Sequence, residues 1–378
     1  MKEKMRGQTT TGKIVFAVIL LAAGGVSARQ NNGSGHHNGG DAGNTGNAGK
    51  DQTEGYDRAG SPRLEQSCSR LPVSGVCLEL DKDKIELLHV QGNVYMLAGA
   101  GANVTVQIGE RSVLIVDTGT ASMSEKVIAA VRALTDKPIF FIVDTSMDDD
   151  HAGGNASVAA AGSALANGFG QDTSSITGSK LASGAAIFAH INVLNRMSAP
   201  TGQKASAPEE AWPTDTYESD DWRFYNGESV YIFHVANAHT DGDSIVLFRG
   251  ADVLSTGDIF EPLISYPIVD NKRGGGIDGV VAGLNQVIEL MVAKDDEEGG
   301  TYVIPGHGPI CDRNDVVNYR DMVTVLRARI AAMVKEGKTL EQVKATKPTL
   351  DYDGIGHYGA TRDAFIEAVY QNLKAKTP

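Results

Sequence analysis

Four times along this chain a short apolar stretch runs out into a glycine-rich loop carrying carboxylate or imidazole side chains. PIFFIVDTS leads into MDDDHAGGN (147–155), SVYIFHVA precedes AHTDGD (238–243), DVL precedes STGD (255–258), and TYVI precedes PGHG (305–308). Apolar, β-branched runs of this length read as buried strands. Polar loops at strand ends are where a rigid sheet can present side chains from distant parts of a sequence to one point. A fold that uses all four loops together must bring these strand ends to one edge.

The rest of the folded part follows the same rhythm. NVYMLAG, ANVTVQIG and SVLIVDTG, spaced by Gly or Asn, are expected to be consecutive antiparallel strands. A helix should follow, with Ser122 or Ser124 as its N-cap and Val127, Ile128, Val131 and Leu134 at helical spacing. AAIFAHINV (185–193) and DSIVLFRG (243–250) read as further strands, while 277–292, 315–336 and 361–374 read as helices. Strands grouped and then followed by helices in each half favour an α+β arrangement of two sheets face to face, with helices outside.

The N-terminal part differs in kind. Residues 1–28 have the pattern of an export signal: Lys2, Lys4, Arg6 and Lys13, then the 13-residue apolar run 14–26, then Val26-Ser27-Ala28 as a small-residue cleavage site. That run is short of the ~20 residues that span a bilayer, so no stable membrane span is expected. A retained anchor is the alternative reading. Residues 29–60, rich in Gly and Asn and containing His36 and His37, read as a linker that cannot bury enough apolar surface to order itself. Residues 61–80 form an N-terminal segment, and 81–378 the main domain. In an oxidising compartment Cys68 and Cys77 could form a local disulfide; otherwise they and Cys311 are separate thiols. A formal net charge of -13 without a basic run excludes nucleic acid as a natural partner.

Taken with their flanks, the four loops resemble the metallo-β-lactamase superfamily. The matching residues are VDTG (116–119), DHAGGN (150–155), AHTDGDS (238–244), TGD (256–258) and PGHGP (305–309). FAHINVLNRM (188–197) and the C-terminal helices are similar to a cyclase-like or quinoprotein-associated subset. The resemblance implies an αββα four-layer sandwich and a metal-dependent hydrolase acting on a small molecule, with metal-bound hydroxide attacking an ester, amide or lactam-type bond. It implies metal ligation by Asp150, His151 and His307, with Asp258 bridging, and a catalytic role for Asp150 in orienting the nucleophile. Zn2+ is the expected metal, as one or two ions, with Fe or Mn as alternatives.

One half of the family motif is altered. Aligned on Asp150-His151, the two earlier histidines fall on Ser146 and Asp148, so the first metal position retains only His239. A neutral serine hydroxyl is a poor ligand, whereas Asp148 is a good oxygen ligand that adds negative charge. A second reading follows: a binding protein that keeps the sandwich but has lost its first metal. A third, redox chemistry at a di-iron site, resembles family members that carry a flavin domain in the same chain. No such domain is evident here. Elsewhere His190 and His234 lie in apolar runs and read as core or supporting residues. His89 has no evident partner, His357 reads as a surface residue of the Gly-rich loop GIGHYG with a place at the pocket's border as the alternative, and Trp212 and Trp222 lie within and just after an irregular insertion, 199–221, where substrate choice would reside.

Overall fold

The computed structural model describes residues 84–164, 184–199, 204–262, 266–295, 299–353 and 360–376. The export signal, the linker, Cys68, Cys77 and His357 lie outside the described residues.

Seven strands form the first sheet in sequence order: β1 (Glu86–Gln91), β2 (Val94–Ala100), β3 (Ala102–Ile108), β4 (Val113–Val116), β5 (Ile139–Val143), β6 (Ala186–His190) and β7 (Asp215–Tyr217). The first four pair antiparallel through tight turns. The last four pair parallel, which requires crossover connections. The crossover from β4 to β5 carries α1 (Ser124–Leu134). The crossover from β5 to β6 carries α2 (Asp149–Ala152) and α3 (Asn155–Ala161), and α4 (Ile191–Ser198) follows β6. The second sheet runs β8 (Asp221–Tyr225), β9 (Glu228–His234), β10 (Ser244–Phe248), β11 (Val253–Ser255) and β12 (Tyr302–Ile304), with only the β11–β12 pair parallel. Helices α5 (Ile277–Leu290), α6 (Arg313–Lys335), α7 (Leu340–Ala345) and α8 (Arg362–Ala375) complete the described α-helices.

Alternation along the strands makes the layers. One face of β2, β4 and β5 (Val94, Met96, Leu114, Val116, Phe141, Val143) meets one face of β9 and β10 (Val230, Ile232, Val246, Phe248) in an apolar seam between the sheets. The opposite face of the first sheet (Leu97, Val106, Ile115, Ile142) packs on Val127 and Val131 of α1 and Val158 of α3. The opposite face of the second sheet (Phe233, Ile245, Leu247) packs on Leu284, Val323, Leu326 and Phe365 of the C-terminal helices. The result is helix, sheet, sheet, helix: the αββα sandwich. Each such side chain, fully buried, contributes on the order of 1.5–3 kcal/mol.

Polar stitches set the sheets against each other at the end where the loops gather. Thr105 Oγ1 donates to Ser255 Oγ across the seam (3.0 Å). The Asn103 amide donates to the carbonyls of Pro305 (3.0 Å) and Gly308 (2.9 Å), and its backbone N–H to Gly306 O (2.8 Å). The loop holding His307 is therefore tied to the start of β3.

Three details differ from the sequence reading. The stretch 185–193 is not one strand: β6 stops at His190, whose ring nitrogen accepts from Asn192 N–H (3.3 Å) and caps α4. Neither Ser122 nor Ser124 caps α1; Ser124 is its first residue, preceded by a 3-10 turn. Cys311 is disulfide-bonded, which corrects the alternative reading of three separate thiols.

Candidate metal centre

Each strand end delivers one part of the centre. Where β4 ends, Asp117 adopts a positive φ (62°), a conformation that side-chain-bearing residues rarely hold. It is kept there by Thr145, whose backbone N–H donates to Oδ1 (2.8 Å) and whose hydroxyl donates to Oδ2 (2.7 Å). Asp117 Oδ2 in turn meets His151 Nδ1 at 2.7 Å. His151, fully buried on the short helix after β5, is thereby fixed in orientation with Nε2 directed to Asp258 Oδ1 at 3.1 Å. Asp258 sits in a 3-10 turn after β11, preceded by Gly257 at φ +52, where a Cβ would lie 2.5 Å from Thr145 Oγ1. A Cβ on Gly306 would fall 2.1 Å from Asp258 Oδ1, so both glycines are required by this approach.

His307 closes the group from the fourth loop. Its Nε2 lies 3.2 Å from Asp150 Oδ2 and 3.5 Å from Asp258 Oδ1. Asp150 and His307 are the exposed members, at 37% and 25% of their side-chain surface, so the centre opens to solvent on their side.

The altered half is built differently. His239 is buried, with Nε2 at 3.0 Å from Asp148 Oδ2 and Nδ1 at 3.7 Å from Asp258 Oδ2. The short approach lacks hydrogen-bond alignment, and both ring nitrogens are without a hydrogen-bond partner. Asp148 Oδ1 is paired with Arg273 Nη1, and Arg273 Nε donates to Asp270 Oδ2 at 2.6 Å. Ser146 turns to its own loop, accepting Asp148 N–H at 3.2 Å.

The predicted residues thus converge. Among the described residues, three sets offer ligand atoms lying within 4.8 Å of one another: Asp150, His151 and His307; Asp148, His239 and Asp258; and Asp258, Glu261 and His307. The first set, with Asp258, fits a divalent metal on its own chemistry. Two imidazoles and two carboxylates match zinc, and the Asp117 carboxylate on His151 Nδ1 is the supporting contact that leaves the other ring nitrogen for a metal.

The electrostatics show the same demand for positive charge. Burial works against protonation of His151, but Asp258 and Asp117 on either side raise its pKa well above the ordinary histidine value. Burial pushes Asp258 up, yet His151, then His307 and His239, outweigh it and hold the carboxyl far below the usual range. The contact with His307, opposed by burial and aided by His151, holds Asp150 below its ordinary value. Beneath the centre, burial and then the Asp117 charge push Asp144 well up, and one of its oxygens is buried without a partner.

Three contributors escaped the sequence reading. Asp117 lay in the VDTG flank, where its charge beside a strand end was the available signal. Glu261 follows Asp258 by three residues, and Arg273 sits in NKRGGG with no local sign of Asp148. Of the other histidines, His190 and His234 stack on each other (centroids 3.7 Å apart, 3° between planes). His89 does have a partner: Nε2 is 3.0 Å from Gly92 O. Trp212 donates to Ala207 O (3.0 Å), and Trp222, 54% exposed, stacks on Tyr231.

Residues 97–307 match the sequence profile of the family described as the metallo-beta-lactamase superfamily, more than half of the chain. Among solved structures, a double mutant of the sec-alkyl sulfatase PisA1 is similar at a TM-score of 0.54 and 18% identity, over 76% of this chain and 50% of that one. The stereoselective inverting sec-alkylsulfatase Pisa1 from Pseudomonas sp. is similar at 0.51 and 16%, with the same coverage. The chain spans half the length of these proteins. A metallo-beta-lactamase from Pontibacter korlensis gives 0.47 and 12%, over 64% of this chain and 99% of that one. No curated protein matches. Among the described residues, no helix is long and apolar enough to cross a membrane.

Proposed function

The chain belongs to the metallo-beta-lactamase superfamily, and from that premise we propose that it is an exported hydrolase that uses a divalent metal, most simply Zn2+, to cleave an ester, amide or lactam-type bond in a small molecule. The observation that carries this reading is the orientation of His151 by Asp117, with Asp150, His307 and Asp258 arranged around its free side.

A metal held by Asp150, His151, His307 and Asp258 would supply Lewis acidity and lower the pKa of a bound water. The chain's own groups do the rest. Asp150 is ionised at neutral pH and open to solvent, so it can accept a hydrogen bond from an attacking water and orient it toward the substrate. Asp258, buried and ionised, supplies fixed negative charge between His151 and His307. Asp117 and Thr145 hold His151 in place, so that little reorganisation accompanies the reaction.

The sulfatases that share the fold make sulfate esters the first class to try, beside carboxylic esters, thioesters and lactams. The expected result is turnover of at least one class by wild type, lost both in Asp150→Ala and on chelation. A metal-loaded wild type that turns over no class would favour the non-catalytic binding protein. Export rests on the pattern of residues 1–28 and predicts a mature N-terminus beginning after Ala28, readable by mass spectrometry of the periplasmic or secreted fraction.

A further inference from the structure

The family's first metal position offers few donors here. Ser146 contributes a neutral hydroxyl engaged with its own loop, and Asp258 is shared with the second position. That leaves His239 and Asp148. Protein metal sites ordinarily need three protein ligands or more, so everything turns on whether Asp148 is free to serve.

It is already paired. Arg273 Nη1 contacts Asp148 Oδ1, and the guanidinium cannot give up its charge. Arg273 is also held rigidly in relation to His239. The 3-10 turn 271–273 is capped by Asp270, whose Oδ1 accepts from Lys272 N (2.9 Å) and Arg273 N (3.0 Å) and whose Oδ2 accepts from Arg273 Nε. The same turn is bonded to the His239 loop from both sides: Asp270 N–H donates to His239 O (2.9 Å), and Asp241 N–H donates to Arg273 O (2.9 Å). A Cβ on Gly275 would lie 2.1 Å from His239 O, so this close packing depends on glycine. The loop that presents the surviving histidine thus also sets a fixed cation against the substituted carboxylate.

We infer, on the reading given above, that Arg273 takes the place of the first metal: its ion pair with Asp148 supplies fixed positive charge there and limits the centre to one divalent cation. A dication set among Asp148, His239 and Asp258 would face the guanidinium at close range and would have to compete with it for Asp148. The unpartnered nitrogens of His239 leave this position latent, with one good ligand in place. Without Arg273, Asp148 would join His239 and Asp258 as the third donor.

The test counts zinc equivalents on the chelated, full-length mature protein by titration and elemental analysis, with circular dichroism as a check of folding. Wild type should bind one equivalent, Arg273→Met two, Arg273→Lys one, and Arg273→Met combined with Asp148→Ala one. Two equivalents on wild type, or one on folded Arg273→Met, would overturn the inference. Should Arg273→Met fail to fold, Arg273→Gln, which can still donate to Asp270, should show the second equivalent, and its absence would count equally against it. No zinc on wild type would defeat the proposed function itself, an outcome distinct from a wrong count.

Discussion

The two halves of this centre use the same device toward opposite ends. In the half made of Asp150, His151 and His307, a buried carboxylate, Asp117, orients an imidazole through one nitrogen and leaves the other directed inward. In the half made of Ser146, Asp148 and His239, the outer partner is a guanidinium, which neutralises a carboxylate instead of sharpening a ligand. A supporting anion behind a histidine favours a metal, whereas a supporting cation behind an aspartate competes with one. Ligand identity alone would miss this distinction, because both halves retain at least one histidine and one carboxylate.

The largest effect should come from the first half. His151→Ala removes a ligand and should weaken zinc binding by more than ~100-fold, beyond the range of outer-partner losses. Isothermal titration would show it. The same deletion at His239 should leave the first equivalent in place, and equal losses from both would erase the contrast between the halves.

Next in size is Asp117→Asn, which keeps the shape but removes the charge behind His151. A loss of zinc affinity of roughly 10–100-fold is expected, against no change for Asp149→Asn, an exposed carboxylate on the short helix that carries His151. An effect of Asp149→Asn as large as that of Asp117→Asn would mean that net charge, rather than orientation, is what counts.

The share of this that was legible in the sequence follows a physical line. Strands with unbroken apolar runs and the glycine-rich loops after them were legible, because burial on both faces and close backbone approach leave marks on consecutive residues. The outer strands β1 and β8 left weaker marks: ELLHVQ and DWRFY mix polar and exposed positions, as edge strands do. FAHINV looked like one strand because the helix cap at His190 depends on a ring nitrogen folding back to Asn192, which no periodicity reveals. Asp148 was visible as a substitution, but its meaning was not. Arg273 lies 125 residues away and reaches it only through tertiary structure.

A smaller effect tests how firmly the sheets carry the first half. Asn103→Ala removes the two amide donors that hold the His307 loop and should cost roughly 1–3 kcal/mol in chemical denaturation. Zinc affinity should fall modestly with it. Unchanged affinity would show that His307 is placed by its own loop alone.

The smallest concerns Asp144. Its pKa in the folded protein is raised, so the folded state holds this proton more tightly than the unfolded one. Its contribution to stability is therefore full below about pH 3.9, the ordinary aspartate value, and is lost as pH rises through the raised folded value. Asp144→Asn should remove that dependence and be more stable than wild type at alkaline pH. A denaturation series across pH in which both proteins lose stability in parallel would show that Asp144 carries no such cost.

The central claim, that one half of this centre holds a metal and the other holds an ion pair, is tested most directly by locating the ion. Anomalous scattering at the zinc edge from a crystal of the zinc-loaded protein should give one peak, within about 2.0–2.2 Å of ligand atoms of Asp150, His151 and His307, with Asp148 still paired to Arg273. A peak between Asp148 and His239, alone or as a second of equal height, would contradict it.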